Sequence, residues 1–391
     1  MTLDIDVIRA DTPGTAKINH LLACGSSLMP QQVLDAITEF LVDETEMGGY
    51  EAAFAHGDML RGVYDSVARL VGASAEEIAL VENATVAWCQ AFYSIPFEPG
   101  DRVITCQSEY GANYVAYLHR AQQDGIVIDV VPNTASGRVD VEALEAMIDD
   151  RVKLISTTWI PTNGGLVNPA AEIGQVARRH GVLYLLDACQ AVGQMPVDVE
   201  ELQCDFLSAT GRKFLRGPRG TGFLYARASV LADLHPPVVD HFSADWTGVG
   251  TYELRPDAKR FENWENAYAL RAGLGVAAEY AMNVGLDAIQ ERAWSLAASL
   301  RTALVDLPGV VIRDLGDDPC AIVSFTVDGL HAPDVVPQLR ADGICIGSSD
   351  PASTLVDSTR RDLPDLFRAA PHYFNTENEI GQLVSALRVL V

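Results

Sequence analysis

Between residues 77 and 225 the chain alternates short, unbroken apolar runs with longer stretches that mix apolar and polar positions at helical spacing. IALV (78–81) leads into ATVAWCQAFYSI, DRVITC (101–106) precedes YVAYLHRAQQDG, and IVIDVVP (126–132) follows. VKLISTTWI (152–160) leads to PAAEIGQVARRHG, then VLYLLD (182–187) and DFLSA (205–209). Short β-branched runs separated by helical patterns predict an α/β fold with a doubly wound, mostly parallel sheet. Sheets of this kind bind ligands just outside the carboxyl ends of their strands. The residues that follow each run are therefore the first candidates for chemistry.

The tail has a different rhythm. Helical patterns around 268–306 lead into VVIRDL, AIVSFTV and ICIGSS, and the chain closes on NEIGQLVSALRVL. Few strands with flanking helices predict a smaller α+β domain from about residue 266. The division expected is an N-terminal segment (1–20) packing near the small domain, a large domain (21–265) and a small C-terminal domain (266–391). No internal repeat or low-complexity linker separates them.

Composition narrows the function. With 48% hydrophobic residues over 391, the chain can bury a substantial core. Its formal charge is −25, with no basic run of five or more, so no nucleic-acid partner is expected. The N-terminus MTLDIDVIRADTPG is acidic where a signal peptide is basic and apolar, and no uninterrupted apolar stretch is long enough for a membrane span. Seven dispersed cysteines without a CxxC imply neither a zinc site nor a disulfide framework, so no metal is expected and the protein reads as cytoplasmic.

Two residues at strand ends stand out. Asp187 closes the most apolar run, where a carboxylate is costly unless a cation meets it. Alone, it equally suits a helix cap or a buried pair with an arginine. Lys213 follows 26 residues later in SATGRKFLRGPRGTGFLY and is one of only four lysines, with Lys17, Lys153 and Lys259. A lone loop lysine is ordinarily solvated. Together, an amine and a carboxylate facing one crevice are the minimal apparatus for pyridoxal 5′-phosphate. The lysine holds the aldehyde as a Schiff base, and the carboxylate keeps the pyridine nitrogen protonated. Arginine cannot substitute, because guanidinium stays protonated.

With these motifs in this order, LLDACQAVGQMPVDV and CDFLSATGRKFLRGPRGTGFLY, the sequence resembles the class V aminotransferase and cysteine desulfurase family of fold type I. The resemblance implies pyridoxal phosphate, an amino-acid substrate and a homodimer with its active site at the interface. It assigns the Schiff-base lysine to Lys213 and the pyridine partner to Asp187. It matches Gln190 to a residue that hydrogen-bonds the cofactor's phenolic oxygen, and ENATVAW to the phosphate-holding segment at Ala84 and Thr85. Asn83 would cap that helix and leave free amides for an anion. Thr210 and Arg212 match phosphate contacts that are serine and histidine in the family. Tyr110 in SEYGAN takes the place of a ring-stacking histidine, and either Thr162 or Asn163 takes the place of an asparagine. Glu265 stands where the family often lends a threonine to the partner subunit's phosphate, and it would instead orient a nearby arginine. Arg368 matches the residue that grips the substrate's α-carboxylate.

In the desulfurases a mobile loop carries the cysteine that takes sulfur from substrate. Here that loop reads SSDPASTLVD, with Ala352 in the cysteine's place and Cys345 in a strand-like run seven residues earlier. The expectation is β-elimination from an S-substituted cysteine, a carbon–sulfur lyase without a catalytic cysteine. GGYEAA near residue 48 also resembles a segment of ergothioneine-type sulfoxide lyases. The same site serves an aminotransferase, an epimerase resembling isopenicillin N epimerase, or a decarboxylating deaminase of natural-product assembly. A catalytically silent binding protein of this fold is the non-enzymatic alternative.

Overall fold

A seven-stranded sheet runs through the middle of the chain in the order 78–81, 222–226, 206–210, 183–187, 152–158, 102–105, 127–130. It was obtained as a computed structural model that describes residues 3–391; residues 1–2, the head of the acidic N-terminus, lie outside it. Five strands pair in parallel, and Gly222–Ala226 runs antiparallel between Phe206–Thr210 and Ile78–Val81. The apolar runs form strands because both faces of the sheet are covered. Along Leu183–Asp187, Tyr184 and Leu186 point into one core with Ile173, Val176 and Ala177 of the helix Ala170–His180. Leu185 points into the other, with Trp88, Phe92 and Tyr117. Residues of opposite parity thus serve two helix layers, as a doubly wound sheet requires. Val127–Val130 closes one edge and is correspondingly half-exposed.

The helices end where the sequence offers a left-handed stop. Gly125 ends Gly111–Asp124 at φ 72° and Gly181 ends Ala170–His180 at φ 65°. A second, four-stranded antiparallel sheet orders 310–312, 323–327, 366–369 and 347–349. The helices Leu286–Val305, Ala332–Ala341 and Glu377–Arg388 pack on it around Phe325, Phe367 and Leu383. The N-terminal segment joins this part: Asn19 and His20 pair in parallel with Ile344 and Cys345, and Arg9 meets Glu379 at 3.1 Å. Among the described residues no helix is long and apolar enough to cross a membrane.

Several elements escape the sequence pattern, among them the helices Gln31–Met47 and Gly57–Val71. A hairpin, Ala244–Gly248 with Thr251–Leu254, projects from the surface and leaves Trp246, Val249 and Tyr252 largely exposed.

Candidate active site

Asp187 is the last residue of its strand, and the chain then turns through Ala188 to Gly193 before leaving the sheet. Gly193 sits at φ 90°, and a Cβ there would lie 2.3 Å from the backbone nitrogen of Leu215. Only glycine permits both that conformation and that approach. The Asp187 turn is therefore pressed directly on the loop that carries Lys213. Arg216 secures the loop from below. Fully buried, it donates to the Leu28 carbonyl, the Tyr373 hydroxyl and the Thr12 hydroxyl.

Both residues open onto one cavity of about 400 Å³ at the carboxyl end of the sheet. Its walls bring together Ala84, Thr85, Tyr110, Thr162, Asp187, Gln190, Thr210, Arg212 and Lys213. At one end the helix Ala84–Ser94 begins. Asn83 caps it, its Oδ1 accepting from Val86 N at 3.0 Å while its carbonyl accepts from Ala87 N. The amides of Ala84 and Thr85 precede the first bonded turn and stay free for an anion. Arg212 stands at the same cavity, donating to the Gly25 carbonyl, and burial holds its pKa below the ordinary arginine value. The Thr210 hydroxyl donates to the Thr221 carbonyl at 3.2 Å.

Asp187 supplies a negative charge to the cavity. Its Oδ1 accepts from Cys189 N at 2.9 Å and its Oδ2 from Asn113 Nδ2 at 3.0 Å. Behind it, out of the cavity wall, lies Glu109, whose Oε1 accepts from the same Asn113 nitrogen at 2.9 Å. Burial, opposed by hydrogen bonds and aided by the Asp187 charge, pushes the Glu109 carboxyl up to about 7. Neither Glu109 nor Asn113 was singled out from the sequence. Both sit in the SEYGAN segment, and the signal lay in its two flanking polar residues rather than in Tyr110 alone.

Gln190 is buried against the cavity. Its Nε2 donates to the Cys24 carbonyl at 3.1 Å and reaches Thr162 Oγ1 at 3.5 Å, while its Oε1 has no partner. The structure separates the 162–163 pair. Thr162 faces the cavity, and Asn163 turns away to donate to Thr354 Oγ1. Arg368 does not line the cavity itself. It lies one side chain behind, donating from Nη1 to the Thr162 carbonyl at 2.6 Å and hydroxyl at 2.7 Å, with Nε unpartnered.

The loop that would carry a desulfurase thiol forms a tight turn, Pro351–Thr354, followed by the short helix Leu355–Arg360. Asp350 caps it, and the backbone at Ala352 abuts Gly111, where a Cβ would lie 2.6 Å from the Ala352 carbonyl oxygen. Cys345 is buried in its pairing with the N-terminal segment. Among the seven cysteines only Cys189 lines the cavity, and burial, with the charge of Asp187 next, pushes its thiol up and away from the thiolate. Glu265 borders a separate cleft with Arg271, but that arginine is oriented by Glu262 at 2.8 Å and by Asn266. Glu262, not Glu265, is the carboxylate that orients it.

The donor set suits one kind of ligand. A helix start with Arg212 asks for a dianion, Asp187 asks for a cation, Lys213 offers an amine to a carbonyl, and Gln190 holds an unsatisfied buried atom at the wall. Pyridoxal phosphate has those features in a flat ring of that size.

Comparison with known proteins agrees. Residues 20–383 match the model of the family described as aminotransferase class-V, and the chain belongs to that family. A probable cysteine desulfurase of Halobacterium salinarum is 29% identical, over 98% of this chain and 96% of the relative. The apo structure of a cysteine desulfurase from Thermococcus onnurineus superposes with a TM-score of 0.93 at 24% identity, over 100% and 98% of the two chains, a likeness of fold. The cystine C-S lyase C-DES, solved with its reaction product cysteine persulfide, gives a TM-score of 0.87 at 25% identity over 96% and 99%. A C-DES variant with glycine covalently linked to the pyridoxal phosphate cofactor gives 0.88 at 25% identity over 97% and 98%.

Proposed function

We propose that the protein is a pyridoxal 5′-phosphate enzyme that acts at the α-carbon of an S-substituted cysteine and releases its sulfur by β-elimination, without a cysteine nucleophile. One observation carries the choice of reaction. The turn Pro351–Thr354 presents Ala352 backbone to Gly111, and the single thiol at the cavity is half-buried beside a carboxylate; burial, with that charge next, pushes it away from the thiolate. A route that needs a thiolate to attack substrate sulfur has no group to perform it.

When bound, the cofactor supplies an electron sink for the pair left at Cα. Its phosphate would take the Ala84 and Thr85 amides and Arg212, its ring nitrogen Asp187, its phenolic oxygen Gln190, and its ring face Tyr110. Arg368, one side chain behind Thr162, would take the substrate carboxylate through Nη2, since Nη1 is engaged by Thr162 and Nε is buried. Among the described residues Lys213 is the only lysine lining the cavity, so its Nζ is the base for the Cα proton. As the Cβ–S bond breaks, the sulfur leaves with the bonding pair as a thiolate or sulfenate. The three-carbon remainder is released and hydrolysed to pyruvate and ammonia. A good sulfur leaving group replaces enzymatic attack.

Purified protein incubated with S-conjugated cysteines should release pyruvate and ammonia in equal amounts, while Lys213→Ala should not. No product above the Lys213→Ala background would remove elimination. Keto acid without ammonia would instead identify an aminotransferase, and α-deuterium exchange without release an epimerase. The proposal includes a homodimer, supported by the exposure of Phe54 (90%) and of Trp246 and Val249 on the hairpin. Sedimentation at a monomer's mass would refute it. All seven cysteines are unpaired, which suits the reducing cytoplasm proposed as its setting.

A further inference from the structure

Glu109 is a buried carboxylate that the proposed chemistry does not use. It is 2% exposed and does not line the cavity. Among the described residues no lysine or arginine pairs with it. What surrounds it are donors: the hydroxyls of Thr105 and Thr158, the backbone amide of Tyr110, the side-chain amide of Asn113, and at 3.4 Å the Tyr117 hydroxyl it shares with Ser156. A carboxylate accepts and does not donate, so each of these contacts favours the ionised form, against the burial that penalises it.

Burying an anion without a cation is expensive, and glutamine of the same shape would relieve the cost. The second carboxylate makes the arrangement odder still. Asn113 spends its amide nitrogen on Glu109 Oε1 and on Asp187 Oδ2, so it bridges two like charges. Among the described residues no cation balances the pair, and the cavity that Asp187, Asn113 and Thr158 line is open to one.

We propose that Glu109 is a positioning residue for the bound cofactor: through Asn113 it fixes the orientation of Asp187, and its charge adds to the negative potential that holds a protonated ring nitrogen. The proposal rests on pyridoxal phosphate occupying the cavity. Glu109 touches neither cofactor nor substrate. It acts through Asn113 and through space.

Glu109→Gln removes the charge and keeps the shape. At the Oε2 position the new amide faces the Thr105 and Tyr117 hydroxyls, which can rotate to accept. The full-length protein, stripped of cofactor with hydroxylamine, would be titrated at pH 8.5 with pyridoxal phosphate and with its 1-deaza analogue, which carries carbon in place of the ring nitrogen. Binding is read by fluorescence quenching. The variant should bind pyridoxal phosphate on the order of tenfold more weakly, the scale of two charges roughly 10 Å apart at an effective dielectric constant of about 20. Its affinity for the deaza analogue should change less than about twofold, because no ring cation is there to feel the charge. Equal weakening of both ligands would show a merely structural role and overturn the proposal, as would no change in either. If the unmodified protein takes up neither ligand, the cofactor reading fails and this inference with it.

Discussion

The same glutamate gives a prediction that needs no cofactor. In the folded protein its carboxyl is raised from an ordinary 4.5 to about 7, chiefly by burial. The fold therefore prefers the neutral acid. Below pH 4.5 the group is protonated in both folded and unfolded chains and contributes its full share of stability. As pH rises the unfolded chain ionises first, and that share is lost progressively until the folded group also ionises near pH 7. At about 1.4 kcal/mol per pH unit between those limits, the loss is on the order of 3 kcal/mol. Glutamine does not titrate. Relative to wild type, cofactor-free Glu109→Gln should thus gain on the order of 3 kcal/mol between pH 4 and pH 8.5. Unfolding entropy scales with length, so for 391 residues that is roughly 4 °C in Tm. Differential scanning calorimetry of both proteins across that range measures it, and the many other titrating groups cancel in the difference. A Tm difference that stays constant with pH would refute the inference that the fold resists ionisation at this position. The opposite slope would do so more strongly.

Two other substitutions probe the cavity walls. Thr162→Val removes the hydroxyl that accepts from Arg368 at 2.7 Å while leaving the carbonyl contact. Loss of one hydrogen bond to a charged group is worth about 1.5 kcal/mol or more, so KM should rise roughly tenfold with kcat little changed; Thr162→Ser should restore it, and unchanged KM in the valine variant would remove Arg368 from substrate binding. Gly111→Val places a Cβ 2.6 Å from the Ala352 carbonyl oxygen and must push the Pro351–Thr354 turn aside. It should cost about 1–3 kcal/mol and open that turn to limited proteolysis; a variant as stable and protease-resistant as wild type would show that the turn does not rest on Gly111.

The sequence by itself determined most of the sheet and the strand ends at which the cavity lies. Strands such as Leu183–Asp187 and Phe206–Thr210 are legible because their burial on both faces is written into consecutive residues. That Asp187 and Lys213 meet at one cavity was readable for a related reason. Each sits just past an apolar run, and the topology of a doubly wound sheet sends every such position to the same edge. Asn83 and the free amides after it follow from local capping preferences, which act over three residues.

Tertiary structure decided what depends on distant partners. Whether Thr162 or Asn163 faces the cavity turns on Thr354 and Arg368, about two hundred positions away. Arg368 stands behind Thr162 because its strand pairs with Val323–Val327 and Gly347–Ser349 in another sheet. Glu109 looked like an ordinary polar residue before a helix until folding brought Thr158 and Asp187 to Asn113's side of it. The hairpin at 244–254 has apolar residues with no core to fill, so its pattern marked no strand. Local sequence encodes which backbone segments are buried, since that requires only periodicity. It does not encode which buried polar groups will meet, since hydrogen bonds form between atoms brought within about 3 Å by the packing of the whole chain.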